Sequence, residues 1–241
     1  MNSSVSVAMA VYNGEHFIRQ QIDSILVQLN ENDELVISYD NSNDNTLEII
    51  REYESECPNV KVVLNSDPGV FGNFENAISH CSKDYIFISD QDDIWDPRKI
   101  ETVVECFRKT GADMVIHSGK HIDKNNEIIS ESFFALYNIG NNLIRNFAKP
   151  RYSGCCTAFT KEFKRVILPI PRDVGAYDHW LGMTGEVLGK LVFLDEDLIM
   201  HRLHDYNVTP TSKRPMKVII SARFNLARHL VARRFIKKNV R

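Results

Sequence analysis

Short apolar runs and amphipathic stretches alternate along the first half of the chain. Ser4 to Val11 sets small beside apolar residues and predicts a buried strand, closed by the turn pair Asn13-Gly14. Ile18, Ile22, Ile25, Leu26 and Leu29 then follow helical spacing up to Asn30. Glu34 to Tyr39 predicts a second strand, and Leu47, Ile49, Ile50 and Tyr53 a helix that Asp44 is placed to cap. Val60 to Leu64 predicts a third strand and Phe71 to Cys81 a third helix. Tyr85 to Ser89 reads as a fourth, fully apolar strand, followed by Pro97 at a helix start, a helix to about Lys109 and a strand over Ala112 to His117. Strands and helices in this rhythm make βαβ units and a parallel sheet with right-handed crossovers. In such sheets ligands bind beyond the carboxyl ends of the strands, so the loops after strands one, two and four carry the interest.

The rhythm breaks near residue 118. Lys120 to Tyr152 is polar, Asn-rich and aromatic, and predicts a long loop with short helices. Tyr152 to Thr160 and Leu191 to Ile199 predict further strands, with a helix over Tyr177 to Leu188 between them. A second half of mixed topology, packed on the first, fits this pattern better than an independent domain. At the end of the chain Met216, Ile220, Phe224, Ala227, Val231 and Phe235 recur at steps of three and four, one face of a helix, which Ile219, Leu226 and Leu230 widen.

Composition changes this picture little and charge changes it more. With 43% hydrophobic and 25% charged residues over 241 positions, the chain is of ordinary globular make-up, which excludes disorder, collagen and coiled coil as the main architecture. Residues 1–212 carry a net −13, whereas 213–241 carry +10 with no Asp or Glu. That asymmetry predicts a tail that meets an anionic surface, or one that docks on the acidic body. The five cysteines show no paired-ligand spacing and fit reduced thiols. The first residues lack the basic n-region and apolar stretch of a secretory signal, so none is expected, and no run of about 18 apolar residues occurs in the sequence. The expectation is a cytoplasmic protein, peripheral on the inner membrane through its tail, with no nucleic-acid partner.

Candidate chemistry gathers after the strands. Asp90-Gln91-Asp92-Asp93 is by composition a solvated acidic turn, but it directly follows a buried strand. Carboxylates crowded there repel unless a cation offsets them, and hard oxygen ligands suit Mg²⁺ or Mn²⁺ with a substrate diphosphate. Asp40-Asn41-Ser42-Asn43-Asp44 is no EF-hand, since Asn45 replaces the required glycine and Arg51 the bidentate Glu. Asp40 is placed to accept from a pyrimidine N3–H. Asp178, beside Tyr177, His179 and Trp180, reads on its own as a helix-start acid, and His201 with His204 suits a metal only on a helix. The G-x-G-x-x-G, Walker and G-x-S-x-G patterns are all missing, which argues against dinucleotide oxidoreductases, P-loop kinases and α/β-hydrolases.

Three segments in order, Ser6-Val7-Ala8-Met9-Ala10-Val11-Tyr12-Asn13-Gly14, then Asp40-Asn41-Ser42-Asn43-Asp44-Asn45-Thr46, then Ser89-Asp90-Gln91-Asp92-Asp93-Ile94-Trp95, resemble family 2 glycosyltransferases. The nearest subgroup is the bacterial rhamnosyltransferase-type enzymes of surface-polysaccharide synthesis. The resemblance implies an α/β, Rossmann-like GT-A fold for nucleoside-diphospho-sugars, with a mixed, mostly parallel sheet flanked by helices. It implies a catalytic domain over 1–212, divided into a donor half (1–117) and an acceptor half (118–212), with a basic helix over 213–241. By the same resemblance Ala10, Tyr12, Asp40, Asn73 and Asp90 contact the donor, and Asp90, Asp92 and His204 hold the metal. Gly154, Cys155 and Trp180 then lie on the acceptor side, and Asp178 is the general base. The implied partners are a dTDP- or UDP-sugar and a lipid-linked saccharide, and the implied reaction inverts the anomeric carbon. A nucleotidyltransferase is the competing enzyme reading, although the short, acidic Tyr12-Asn13-Gly14-Glu15 turn lacks a basic triphosphate grip. A non-catalytic saccharide-binding relative is the third.

Overall fold

A computed structural model describes residues 3–204 and 215–238. The elements run β1 (Val5–Val11), α1 (Ile18–Leu26), β2 (Glu34–Tyr39), α2 (Thr46–Glu56), β3 (Val60–Leu64), α3 (Val70–His80), β4 (Tyr85–Ser89), β5 (Ile94–Trp95) and α4 (Lys99–Thr110). They continue with β6 (Met114–Ile122), α5 (Phe133–Tyr137), α6 (Leu143–Ala148), a 3₁₀ turn (Gly154–Cys156), β7 (Thr157–Thr160), α7 (Lys161–Ile167), α8 (Tyr177–Leu188), β8 (Leu191–Arg202) and α9 (Met216–Lys238).

All eight strands form one sheet in the order β3-β2-β1-β4-β7-β6-β8-β5. The first four are parallel, and β1 lies at their centre with Val7 opposite both Leu35 and Phe87. A strand covered on both faces is a near-continuous apolar run, which is why β1 and β4 stand out in the sequence. Then β7 enters antiparallel to both β4 and β6, β8 runs parallel to β6, and β5 closes the edge antiparallel to β8. This second half is mixed, as the broken rhythm implies.

The strand expected over Tyr152 to Thr160 shrinks to β7, preceded by the 3₁₀ turn, and two further details differ from the sequence expectation. The two residues of β5 are too few to show any period, so it is invisible in the pattern. Asp44 does not occupy the cap of α2: that position is Asn45, which makes no side-chain capping bond. Asp44 instead accepts from the Thr46 amide at 3.1 Å and the Glu15 amide at 3.2 Å. Burial opposes its ionisation, but the bonds from Thr46 and Glu15 outweigh this and hold its carboxyl below the usual value. It fastens one loop to another.

Candidate active site

Three loops after β1, β2 and β4 are laced into one crevice. Past β1 the chain turns at Asn13, whose φ of 49° is a conformation Asn tolerates. The amides of Asn13 and Gly14 donate to the Ser42 and Thr46 hydroxyls, and the Asn43 amide donates back to the Asn13 side chain at 2.9 Å. The third loop joins through Gln91, which accepts from the Tyr12 amide and donates to the Tyr12 carbonyl, both at 2.8 Å. Tyr12 therefore stands exposed on a fixed backbone, with Ala10 half-buried behind it.

The expected donor residues line this region in different ways. Asp40 is buried, accepting from Asn65 through Oδ1 and from the Gly69 amide through Oδ2 at 2.8 Å. Each carboxylate oxygen keeps a second lone pair. Asn73, also buried, donates to the Val11 carbonyl at 3.0 Å and pins the end of β1, leaving its Oδ1 without a protein partner.

The acidic loop splits into two groups. The Asp92 Oδ2 meets His204 Nε2 at 2.8 Å, and the His204 ring rests on Phe17. The ligand atoms of Asp90, Asp93, Cys155 and His201 lie within 4.8 Å of one another. His201 and His204 serve different groups: His201 is still within β8, whereas His204 lies two residues beyond its end. Asp93 is fully buried and accepts through Oδ1 from His201 Nδ1 at 2.8 Å and the Arg202 amide at 3.1 Å. Burial lowers the His201 pKa, yet the Asp93 carboxylate outweighs it and raises the imidazole above its usual value. For Asp90, burial together with Cys155, Asp93 and Asp92 pushes the carboxyl well above the ordinary range. A bound cation would reverse that pressure. Asp93 Oδ2 in the second group is buried without a hydrogen-bond partner, and each group offers carboxylate oxygen and imidazole, ligand chemistry that suits Mg²⁺ or Mn²⁺.

Several supporting residues escape sequence reasoning. Arg202 is buried and donates to the Asp92 carbonyl, to Asn126 and to Gln20, with its guanidinium 4.7 Å from the Phe17 ring centre. It clamps the acidic loop. Lys99 lies under the cluster, donating to the Cys155 carbonyl at 2.9 Å and sitting 3.7 Å from the Trp95 ring centre. Burial lowers its pKa to about 8, with Cys156, Cys155, Asp93 and Asp90 pulling the other way. Only the adjacency of Trp95 and Lys99 to the acidic motif hinted at this role.

A cavity of about 410 Å³ adjoins the cluster, with His121, Tyr137, Arg151, Tyr152, Asp178 and His201 among its lining residues. Asp178 occupies the first turn of α8, where its Oδ1 accepts from the His179 amide at 2.6 Å and the helix dipole favours a carboxylate. Gly154 lies behind the cavity, and a Cβ there would come within 2.1 Å of the Tyr177 hydroxyl, so the close approach requires glycine. None of the three expected acceptor-side residues lines the cavity itself. Trp180 is buried in the core, its indole donating to the Ile167 carbonyl at 2.9 Å, because two residues along a helix turn it about 200° from Asp178. Cys155 is buried with its thiol in the acidic cluster, outside the cavity lining.

Comparison with known proteins agrees with this architecture. The chain is 25% identical over 213 residues to an uncharacterized glycosyltransferase, alr2836, of Nostoc, covering 84% of this chain and 66% of that one. It is 39% identical over 104 residues to the dTDP-rhamnosyl transferase RfbG of Shigella flexneri, 41% of this chain and 36% of that protein. WfgD of Escherichia coli, a UDP-Glc:alpha-D-GlcNAc-diphosphoundecaprenol beta-1,3-glucosyltransferase, is 32% identical over 144 residues, 59% and 55% of the two chains. The chain thus spans between about a third and two thirds of these relatives. Among solved structures, S. aureus TarS 1-349 in complex with UDP-GlcNAc superposes with a TM-score of 0.70 at 17% identity, covering 97% of this chain and 66% of that one. The Pyrobaculum calidifontis mannosyltransferase PcManGT, with GDP-Man and Mn²⁺, gives 0.65 at 16% identity, covering 97% and 74%. The shared architecture is the GT-A fold. Residues 6–167, more than half of the chain, match the sequence description of Glycosyl transferase family 2, and to that family the chain belongs.

Proposed function

We propose that the protein is a metal-dependent inverting glycosyltransferase. It moves a sugar from a dTDP-rhamnose- or UDP-hexose-type donor to a hydroxyl of a lipid-linked saccharide in bacterial surface-polysaccharide synthesis, working at the cytoplasmic face of the inner membrane. One observation carries the reading: His201 belongs both to the cavity that Asp178 lines and to the acidic cluster it bonds through Asp93. Donor and acceptor regions therefore share a wall. The names of the relatives RfbG and WfgD support the donor classes, and that of WfgD the lipid-linked acceptor.

In this reading Asp40 accepts from the pyrimidine ring through its spare lone pairs, Tyr12 and Ala10 flank the base, and Asn73 with Gln91 keeps their backbone in place. Asp92 and His204 hold a divalent cation, with Asp90 behind them; when bound, that cation stabilises the leaving diphosphate as a Lewis acid. Asp178 takes the proton from the acceptor hydroxyl. With one base opposite the leaving group, displacement is in-line and the anomeric carbon inverts. His201 and Tyr137 line the acceptor cavity and orient the saccharide.

Nucleoside diphosphate release from dTDP-rhamnose, UDP-glucose and UDP-N-acetylglucosamine, each with Mn²⁺ and with EDTA, tests the proposal. Chelator-sensitive release from at least one donor, accelerated by an undecaprenyl-diphosphate-linked saccharide, is expected. If none of the donors raises the melting temperature or is turned over, the transferase reading fails.

A further inference from the structure

α9 carries apolar side chains on two faces, and the body covers one of them. Ala222, Leu226 and Leu230 are buried where the helix packs on α7 and α8. Arg233 donates to the Leu168 and Pro169 carbonyls from this side, and Arg228 and His229 meet Asp173. At about 100° per residue, Met216, Ile220, Phe224, Val231 and Phe235 fall in an arc of roughly 100°, centred roughly 130° from the docked face. All five are exposed, Phe224 at 70% and Phe235 at 66%. So many large apolar side chains held in water along one line mark a contact surface.

Charge selects the partner. Exposed Lys217 and Arg228 border the arc on one side and exposed Arg234 on the other, in a segment with no acidic residue from 213 to 241. We propose that this face of α9 lies on an anionic lipid bilayer, its phenylalanines entering the acyl boundary and its cations meeting headgroups. A second copy packed arc to arc would instead bring two sets of cationic borders together. The neighbouring α6 extends the surface: Arg223 donates to the Ala148 carbonyl at 3.3 Å, and on that short helix Leu143 is exposed and Ile144 is 83% exposed. Residues 136–139, just before α6, line the acceptor cavity. The apolar surface is thus linked through one short segment to the cavity. As a device for reaching a lipid-linked acceptor it rests on the proposed function, but the surface itself is read from the helix faces alone.

Sedimentation of the full chain with phosphatidylglycerol vesicles, and separately with phosphatidylcholine vesicles, tests it. Binding to phosphatidylglycerol should be stronger on the order of tenfold and should weaken as salt shortens the screening length. Phe224→Glu with Phe235→Glu should lose binding by at least roughly the same factor, with circular dichroism, melting temperature and vesicle-free donor hydrolysis unchanged. Ile144→Glu should weaken it less, and Lys217→Glu with Arg234→Glu should flatten the salt dependence. Absence of phosphatidylglycerol binding at low salt, or undiminished binding by the double Phe variant, overturns the proposal. So does a dimer that Phe224→Glu splits, since a second copy then covers the arc. Vesicle binding without donor hydrolysis would sink the transferase reading and leave this surface standing; hydrolysis without vesicle binding would do the reverse.

Discussion

On the side built from β1 to β4, the backbone of Tyr12, Asn13, Gly14 and Glu15 is tied by Gln91, Ser42, Thr46 and Asp44 across three loops. On the side built from β6 to β8, the cavity wall draws His121, Tyr137, Tyr152, Asp178 and His201 from five elements or turns far apart in sequence. The first side, the proposed donor side, is made rigid by short polar bonds between neighbouring strand ends, and the second is the proposed acceptor side. The acceptor side is held by packing, as in Gly154 beneath Tyr177 and the stack of Tyr177 on Phe74 at 4.3 Å. A constant nucleotide can be met by a fixed crevice, whereas the saccharide varies, and a cavity made of side chains from separate segments can change without disturbing the sheet. Damage on the donor side should therefore appear as lost donor or metal affinity, and damage on the acceptor side as lost turnover or fold.

The sharpest test is Asp92→Ala. Its carboxylate is half of the Asp92–His204 pair and is clear of the core, so the fold should survive. Losing the charge stabilisation that a bound cation gives should cut transfer by about 10³-fold or more, and Mn²⁺ should no longer strengthen donor binding in a thermal-shift titration. Turnover near wild type would remove Asp92 from the metal site. Asp178→Asn should lower kcat by about 10² to 10⁴ while the donor KM moves little. A variant that keeps kcat and loses donor affinity would place Asp178 on the other side of the comparison.

The same contrast explains what the sequence reveals. The β1, β2 and β4 strands are short and almost wholly buried, and β2 and β4 are followed directly by acids, so Asp40, Asp90 and Asp92 can be located from periodicity and neighbours. Arg202 and Lys99 cannot. One is a cation surrounded by polar partners from three other segments, the other a lysine hidden under a tryptophan, and both look like surface residues in a linear pattern. Trp180 misleads for the opposite reason: sitting beside Asp178 in sequence, it turns into the core on the far side of the helix. In α9 the hydrophobic period shows the exposed and docked residues together, because a pattern records apolar spacing and not which face the body covers.

Acid should separate the two halves. Burial, with Arg223 nearby, lowers the His179 pKa to about 4, and burial also lowers those of His117 and His121. His121 and His179 lie in the proposed acceptor half, and His117 is the last residue of the proposed donor half. For these groups a folded state that resists protonation binds fewer protons than the unfolded chain, so their contribution is lost as pH falls from 6.5 towards 4, while His201, raised by Asp93, works in the opposite direction. His179 alone accounts for about 3 kcal/mol over that range. The donor-half carboxyls of Glu34 and Asp44 are held low by their hydrogen bonds against the opposing pull of burial, so their contribution is lost only below 4.5 and 3.8. At pH 5, hydrogen exchange should accelerate in α8 and β6 before β1 and β2, and His179→Gln should flatten the slope of stability against pH. Uniform loosening of both halves would show that they do not titrate separately.

The smallest expected effect tests the donor side at its most finely tuned point. Gln91 is neutral between acids, and its amide pairs with both backbone groups of Tyr12. In this exposed setting each bond contributes about 0.5 to 1.5 kcal/mol at most. Gln91→Ala should therefore raise the donor KM by roughly 3- to 10-fold, with kcat nearly unchanged because Asp178 and the cavity are untouched. Gln91→Glu should be worse than alanine, although it is closer in shape. Its carboxylate still accepts from the Tyr12 amide, but it sets an oxygen against the Tyr12 carbonyl and adds a charge beside Asp90 and Asp92. A Cβ on Gly14 would come within 2.6 Å of Gln91 Oε1, so Gly14→Ala should push the amide away and copy Gln91→Ala. Because both act through one pairing, the double variant should be no worse than either single one. Additive losses, or a glutamate milder than alanine, would show that Tyr12 is oriented by something other than this amide, and that the donor crevice is looser than its hydrogen bonds imply.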